Sequence, residues 1–159
     1  MSERVVVVTG AFGALGSAVA QAAAEQGARV ALIDFAAAPP AGLAKACGPD
    51  AFVQGGVDLT DPVAAKAAID AVAARFGGID ALLNIAGGFR WETLEGGSTD
   101  TFDLLYRMNV ATAVNACRAA VPHLKRSAAG RIVNVGANGA LKAAAGMAPT
   151  PPPRPASTA

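Results

Sequence analysis

The sequence predicts an α/β domain with helices on both faces of a parallel sheet. Three observations carry that prediction. Short β-branched runs alternate with helical patterns, the runs are apolar at consecutive positions, and glycine-rich turns separate the two kinds of segment. Consecutive apolar residues put apolar groups on both faces of a strand, and a parallel sheet flanked by crossover helices buries both.

Val5 to Val8 is the first strand, ended by Thr9-Gly10. Residues 14–26 follow as an Ala-rich helix with Gly27 as its C-cap. Arg29 to Ile33 gives the second strand. The stretch from Ala36 to Gly48 is weakly specified, since Pro39-Pro40 permits only a short helix. Ala51 to Gln54 is the third strand, and Asp61 as N-cap with Pro62 at the first helical position opens a helix reaching Phe76. Ile79 to Asn84 is the fourth strand. Residues 99–107 and 109–126 read as two helices, the second amphipathic and broken or bent near Pro122, before a fifth strand from Arg131 to Val135. The order βαβαβαβααβ implies a Rossmann-like three-layer fold.

At 159 residues the chain has room for one core, a typical domain taking roughly 100 to 150. With 53% hydrophobic and 16% charged residues it is expected to be globular. A net charge of +1 and the lack of a basic run with interleaved aromatics argue against a nucleic-acid partner. The N-terminal apolar run is too short for a signal peptide or a membrane span, so a cytoplasmic protein with no membrane partner is expected. Cys47 and Cys117 form no CxxC pair and there is one histidine, so neither a disulfide framework nor a metal site is predicted.

The chemistry-bearing signal is the turn Thr9-Gly10-Ala11-Phe12-Gly13-Ala14-Leu15-Gly16, set between a strong strand and a helix. Gly10 allows the tight turn, Gly13 lets backbone approach a pyrophosphate, and Gly16 lets helix and strand pack closely. The helix N-terminus attracts the anion. Asp34 ends the second strand, 18 residues past Gly16, where a carboxylate binds the 2′-hydroxyl of an adenosine ribose and repels a 2′-phosphate. No Arg or Lys lies in the glycine turn or directly after Asp34-Phe35, which favours NAD over NADP. The competing reading has the glycines as a structural turn and Asp34 as the start of a loop.

The TGxxxGxG spacing of residues 9–16 resembles the cofactor motif of the short-chain dehydrogenases/reductases, and other segments agree in order. Val57-Asp58-Leu59-Thr60 resembles the family's adenine-contacting turn, and Asn84-Ile85-Ala86-Gly87 its NNAG motif. Asn109 resembles the helix asparagine that supports the family's proton-relay water. Residues 131–136 resemble the strand leading to its catalytic serine. The resemblance spans residues 4–147 and makes residues 1–146 a partial NAD(P)-binding domain. Gly10, Phe12, Gly13, Leu15, Gly16, Asp34, Phe35, Asp58, Leu59, Asn84, Ala86 and Gly87 are the implied cofactor-binding residues, and Asn109 the one implied catalytic residue. Each later motif has a plainer reading: Asn84 satisfying backbone groups between strands, Asp58 starting a turn, Asn109 capping or kinking a helix. A different adenosine-binding Rossmann class, such as a methyltransferase, explains the glycine turn and Asp34 but not the later motifs.

By the same resemblance the strand order is 3-2-1-4-5, with the family's last strands and helices, and most of its oligomer interface, lacking. That leaves the fifth strand an uncovered edge, with poor solubility and marginal stability expected. An intact relative moves hydride between an alcohol or ketone and the nicotinamide using a serine and a YxxxK pair. Here the only tyrosine is Tyr106, followed four places later by Val110, and Ala137 stands where the serine is expected. Asn138 either substitutes for that serine as a donor or, with Gly139, merely turns the chain. This chain is therefore expected to be catalytically inactive or a non-catalytic NAD-binding module.

Residues 147–159 hold prolines at 149, 151, 152, 153 and 155, five of the chain's ten, and are expected to be a disordered tail. Back-translated with GC-rich codons, this tail acquires a YxxxK motif when one G is inserted after the Met147 codon. The restored tyrosine falls at position 150, now Thr150, and the lysine at position 154, now Arg154, thirteen residues and seventeen residues past Ala137. A one-base frameshift is the reading that follows.

Overall fold

The computed structural model describes residues 4–137. The proposed tail, Asn138, Thr150 and Arg154 lie outside them.

Five strands form one parallel sheet: β1 (Val5–Thr9), β2 (Arg29–Ile33), β3 (Phe52–Gln54), β4 (Ala81–Asn84) and β5 (Arg131–Asn134). Their order is β3-β2-β1-β4-β5, as the resemblance implied. The helices are α1 (Ala14–Glu25), α2 (Leu43–Ala46), α3 (Pro62–Phe76), α4 (Thr99–Tyr106) and α5 (Thr112–Leu124), with a π-helical insertion at Arg107–Ala111 joining the last two.

Alternation along the strands builds the three layers. Val5, Val7, Ala31, Ile33 and Leu82 face α3 and α5, where Ala68, Ile69, Val72, Ala116 and Ala120 meet them. Val6, Val8, Val30 and Leu32 face the other way, onto Ala20 of α1 and Leu43 and Cys47 at α2. The small residues of α1 let that helix lie close to the sheet.

Local chemistry sets the ends. Asp61 caps α3 by accepting from the Val63 N–H at 2.8 Å, Pro62 opens the helix, and Gly77 ends it in the left-handed region at φ 82°. Gly27 does the same for α1, where the Ala28 N–H reaches back to the Ala23 carbonyl at 3.1 Å. At the base of the sheet, Asp80 accepts from the Val5 N–H at 2.8 Å and the Ser127 hydroxyl at 2.6 Å. It thereby ties β1 to the segment that enters β5.

Two expectations are corrected. Residues 99–124 run as one helical stretch with a π-helical turn at Arg107–Ala111, not as two helices parted at position 108. Pro122 does not break α5, which continues to Leu124; the helix forgoes the bond from position 122 to the carbonyl of Arg118 and runs on. Cys47 and Cys117 are free thiols, and burial raises the pKa of both. Among the described residues no helix is long and apolar enough to cross a membrane, and no three His, Cys, Asp or Glu side chains gather as for a metal ion.

Candidate functional site

The chain leaves β3 at one edge of the sheet and returns on the far side of β1 as β4. Connections therefore part in opposite directions from the C-terminal ends of β1 and β4, and an open α/β sheet has its binding crevice at such a point. A cavity of about 960 Å³ lies there. It is lined by Gly10, Gly13, Leu15 and Gly16 from the first turn, Asp34 and Phe35 after β2, Asp58 and Leu59 after β3, and Ala86 and Gly87 after β4.

Close packing fixes the turn. Gly10 has φ +64°, and a Cβ there would stand 2.7 Å from the Ala86 backbone, so the loops after β1 and β4 touch through a residue without a side chain. A Cβ on Gly16 would meet the Gly10 carbonyl oxygen at 2.0 Å. Gly13 differs: a Cβ would find only that same oxygen, at 3.5 Å, because its open side faces the cavity. Gly13 N-caps α1 without a side-chain partner, and no acid sits in the first turn. The leading amides of α1 are thus left to an anion from outside the chain.

Asp34 is held in place by the backbone. One carboxylate oxygen accepts from the Phe12 N–H at 2.8 Å and the other from the Ala36 N–H at 2.9 Å. Phe12 does not line the cavity; its amide positions Asp34 while its ring packs against the α1 side of the core. Asp58 accepts from the Thr60 N–H at 2.8 Å. The Thr60 hydroxyl, then that N–H, and lastly the Arg107 charge hold the Asp58 carboxyl below the usual carboxylate range against the opposing effect of burial. Asp58 therefore both shapes its turn and presents a charge to the cavity.

Asn84 also lies off the cavity wall. It is buried at the end of β4, donating to Asn134 Oδ1 across the β4–β5 pair at 2.8 Å and to Cys117 Sγ at 3.2 Å. Its partners are side chains, not the backbone groups of the plainer reading, and its Oδ1 is buried without a partner among the described residues. Asn109 sits in the π-helical turn and clamps the loop after β4: its Oδ1 accepts from the Gly88 N–H at 2.9 Å, and its Nδ2 donates to the Gly88 carbonyl at 3.0 Å. A π-helical turn is a costly local irregularity that gathers at functional sites. Ala137, past the end of β5, is exposed, and half-exposed Tyr106 does not line the cavity.

Sequence reading missed three features. The buried Thr9 hydroxyl accepts from the Ile85 and Ala86 N–H groups at 3.2 and 3.3 Å, bracing the turn that Gly10 touches. Asn115 on α5 donates to the carbonyls of Leu59 and Thr60 at 3.0 and 3.1 Å, fixing the turn after β3 from a helix more than fifty residues away. Arg107 lines the cavity with Asp34, Asp58, Asp100 and Asp103, a single cation among four carboxylates. A polar residue on the inner side of an otherwise apolar helix was the available signal for Asn115; nothing local marked Arg107.

Residues 4–149 match the family profile described as short chain dehydrogenase. D-threitol dehydrogenase from Mycolicibacterium smegmatis is 36% identical over 142 residues, covering 88% of this chain and 55% of that protein. The probable galactose dehydrogenase GalD from Rhizobium meliloti is 32% identical, with 84% and 54% covered. The crystal structure of the dehydrogenase Cj0485 superposes with a TM-score of 0.85 at 20% identity, covering 94% of this chain and 57% of that one. The chain spans about half the length of the relatives it matches.

Proposed function

Because the chain belongs to the short-chain dehydrogenase family, whose members are oxidoreductases that use a nicotinamide dinucleotide, we propose that its cavity binds NAD in preference to NADP. The observation that carries this is Asp34, whose carboxylate the Phe12 and Ala36 amides hold at the cavity wall. A carboxylate there accepts from ribose hydroxyls and repels a 2′-phosphate. With three further carboxylates against one guanidinium, the lining is already rich in negative charge.

The residues fit the group. The open side of Gly13 and the leading amides of α1 would take the pyrophosphate, and Asp34 the adenosine ribose. Asp58 and Leu59 would wall the adenine, while Ala86 and Gly87 border the end toward Asn109. When bound, the dinucleotide supplies the ring carbon that takes hydride from a carbinol carbon. The chain's own residues bind and orient: Thr9 and Gly10 fix the loop after β4, and Asn109 holds Gly88 in place.

In the full-length protein the reaction is oxidation of an alcohol or reduction of a ketone. These 159 residues hold no YxxxK, and Ala137 replaces the serine, so this chain binds the dinucleotide without turning substrate over. A tyrosinate base must stand within hydrogen-bond reach of the carbinol. Neither Thr150 nor Arg154 supplies that chemistry, because an aliphatic hydroxyl lacks a phenol's acidity and Arg holds its proton near neutral pH. The tail after Met147 is read as a shifted frame. In support, GC-rich codons exist for the tail with which one added base places tyrosine and lysine at the family's positions.

The test has two arms. The chain as it stands is incubated with NAD and secondary alcohols, and no NADH is expected. The coding sequence around Met147 is then determined and one base restored, which is expected to yield NADH. Turnover by the unrepaired chain would overturn the reading, and so would a folded, NAD-binding, inactive repaired protein whose Ala137→Ser form is also inactive.

A further inference from the structure

Beyond the dinucleotide cavity, the loop that leaves β4 exposes three large apolar side chains within six residues: Phe89 at 55%, Trp91 at 65% and Leu94 at 86%. Scattered exposed apolar residues need no explanation, but a cluster of them marks a binding surface. Phe89, Arg90, Trp91 and Glu92 line a second cavity of about 450 Å³ with Gly88 and Met108. Met108 also lines the dinucleotide cavity, so the two share a wall.

The loop is tied at both ends. Asn109 grips Gly88 through its N–H and its carbonyl. At the far end Glu92 accepts from the Ser98 N–H at 3.0 Å and the Thr101 hydroxyl at 2.7 Å. Both Glu92 oxygens are engaged in holding the loop, and the Thr101 hydroxyl, then the Ser98 N–H, and lastly the Arg90 charge keep its carboxyl below the usual range. Arg90 has no hydrogen-bond or ion-pair partner among the described residues. The cavity therefore offers two aromatic rings, a thioether, the Glu92 carboxylate already held by the loop, and a guanidinium that acts on Glu92 only through its charge and makes no direct hydrogen bond or ion pair among the described residues.

We infer that this loop reads the substrate, and that the substrate is a hydroxy acid or its oxo counterpart carrying an aryl or similarly flat apolar group. Its carboxylate pairs with Arg90, whose planar fork suits a carboxylate. Its apolar group lies against Phe89 and Trp91, and its carbinol carbon falls on the Met108 side, toward the dinucleotide. A neutral polyol leaves Arg90 unpaired and gains little from the rings. The inference rests on the NAD reading of the adjoining cavity.

Trp91 is the only tryptophan in the chain, so its emission reports this cavity without a label. The 159-residue chain is titrated with 3-phenyllactate, 1-phenyl-2-propanol and threitol, with and without NAD, while NAD binding is measured separately by calorimetry. Phenyllactate is expected to change the Trp91 emission saturably and to bind at least about tenfold more tightly than 1-phenyl-2-propanol, which has methyl in place of the carboxylate, the difference one charged pair makes. Arg90→Gln is expected to erase that difference, with folding checked by circular dichroism. The comparison of acid and alcohol on the unaltered chain stands even if the variant fails to fold. NAD binding with no emission change, or equal response to acid and alcohol, overturns the substrate assignment alone. Failure of NAD to bind overturns both readings. An emission change that follows protein concentration instead of the acid makes the loop a contact between copies and also overturns it.

Discussion

Gly16→Ala and Gly13→Ala are expected to separate packing from binding within one turn. At Gly16 the added Cβ meets the Gly10 carbonyl oxygen at 2.0 Å and the Ala11 Cα at 2.8 Å. Both are backbone atoms, so no side chain can swing aside. The contact must open from 2.0 Å toward an ordinary 3.4 Å, which drives α1 away from the turn after β1. Overpacking of this kind costs about 1–3 kcal/mol. For a chain of this size each kcal/mol lowers the melting temperature by about 2–4 °C, so a fall of roughly 2–12 °C is expected. The same movement displaces the leading amides of α1, and NAD affinity is expected to drop at least about tenfold. At Gly13 the Cβ meets one atom, at 3.5 Å, and otherwise enters the cavity. Gly13→Ala adds no clash and its backbone suits alanine, so it is expected to melt at or up to about 4 °C above the parent, yet to lose NAD binding to a similar degree. Thermal melts by circular dichroism and calorimetry with NAD read the two effects. A Gly13→Ala protein less stable than Gly16→Ala, or either variant binding NAD like the parent, would refute the account of the turn.

Thr9→Val removes the acceptor for two N–H groups, those of Ile85 and Ala86, and is expected to cost about 2 kcal/mol in a urea unfolding curve. Burial raises the Asp80 pKa, but the Ser127 hydroxyl and the Val5 N–H outweigh it and leave the carboxyl below its ordinary value. Its contribution is present above the unfolded-state value, about 3.9, and is lost as pH falls through the lower folded value. Asp80→Asn is expected to lower stability at neutral pH by about 2 kcal/mol and to flatten the acid limb of the stability profile; an unchanged acid limb would contradict this. On β5, Ile132 is 39% exposed and Val133 50%, and Val135 just past it 51%, at a sheet edge with no further strand among the described residues. Val133→Lys is expected to reduce light scattering on concentration without lowering the melting temperature, because a charge on an edge strand opposes strand addition.

Where neighbours in sequence are also the physical cause, the sequence was readable. The Asp61-Pro62 start of α3 and Gly27 and Gly77 at helix ends act through contacts within a few residues, while the four valines of β1 show their burial on both faces as one continuous apolar run, and the structure has each where the pattern put it. The glycine turn was readable because Gly13 and Gly16 lie against the Gly10 carbonyl within it; Asp34 was legible from its place at the end of the second strand, and of its two amide partners Ala36 is two residues away but Phe12 is 22. The π-helical turn left no such mark. It arises where the helix must carry Asn109 to the Gly88 backbone and also seat Thr112, whose hydroxyl donates to the Met108 carbonyl at 2.7 Å. Asn115 and Arg107 depend on tertiary proximity to the turn after β3, so periodicity could place them on a helix but not assign their work. Pro122 does not break its helix, because one missing N–H removes a single bond while the neighbouring residues stay packed against the core.

The most direct test of the central claim is calorimetric titration of the chain with NAD and with NADP, beside an Asp34→Ala variant. NAD is expected to bind at least about tenfold more tightly than NADP, with the gap closing in the variant as the charge that repels a 2′-phosphate is removed. Millimolar or weaker NAD binding that is the same with and without the Asp34 carboxylate, or tighter binding of NADP, would contradict it.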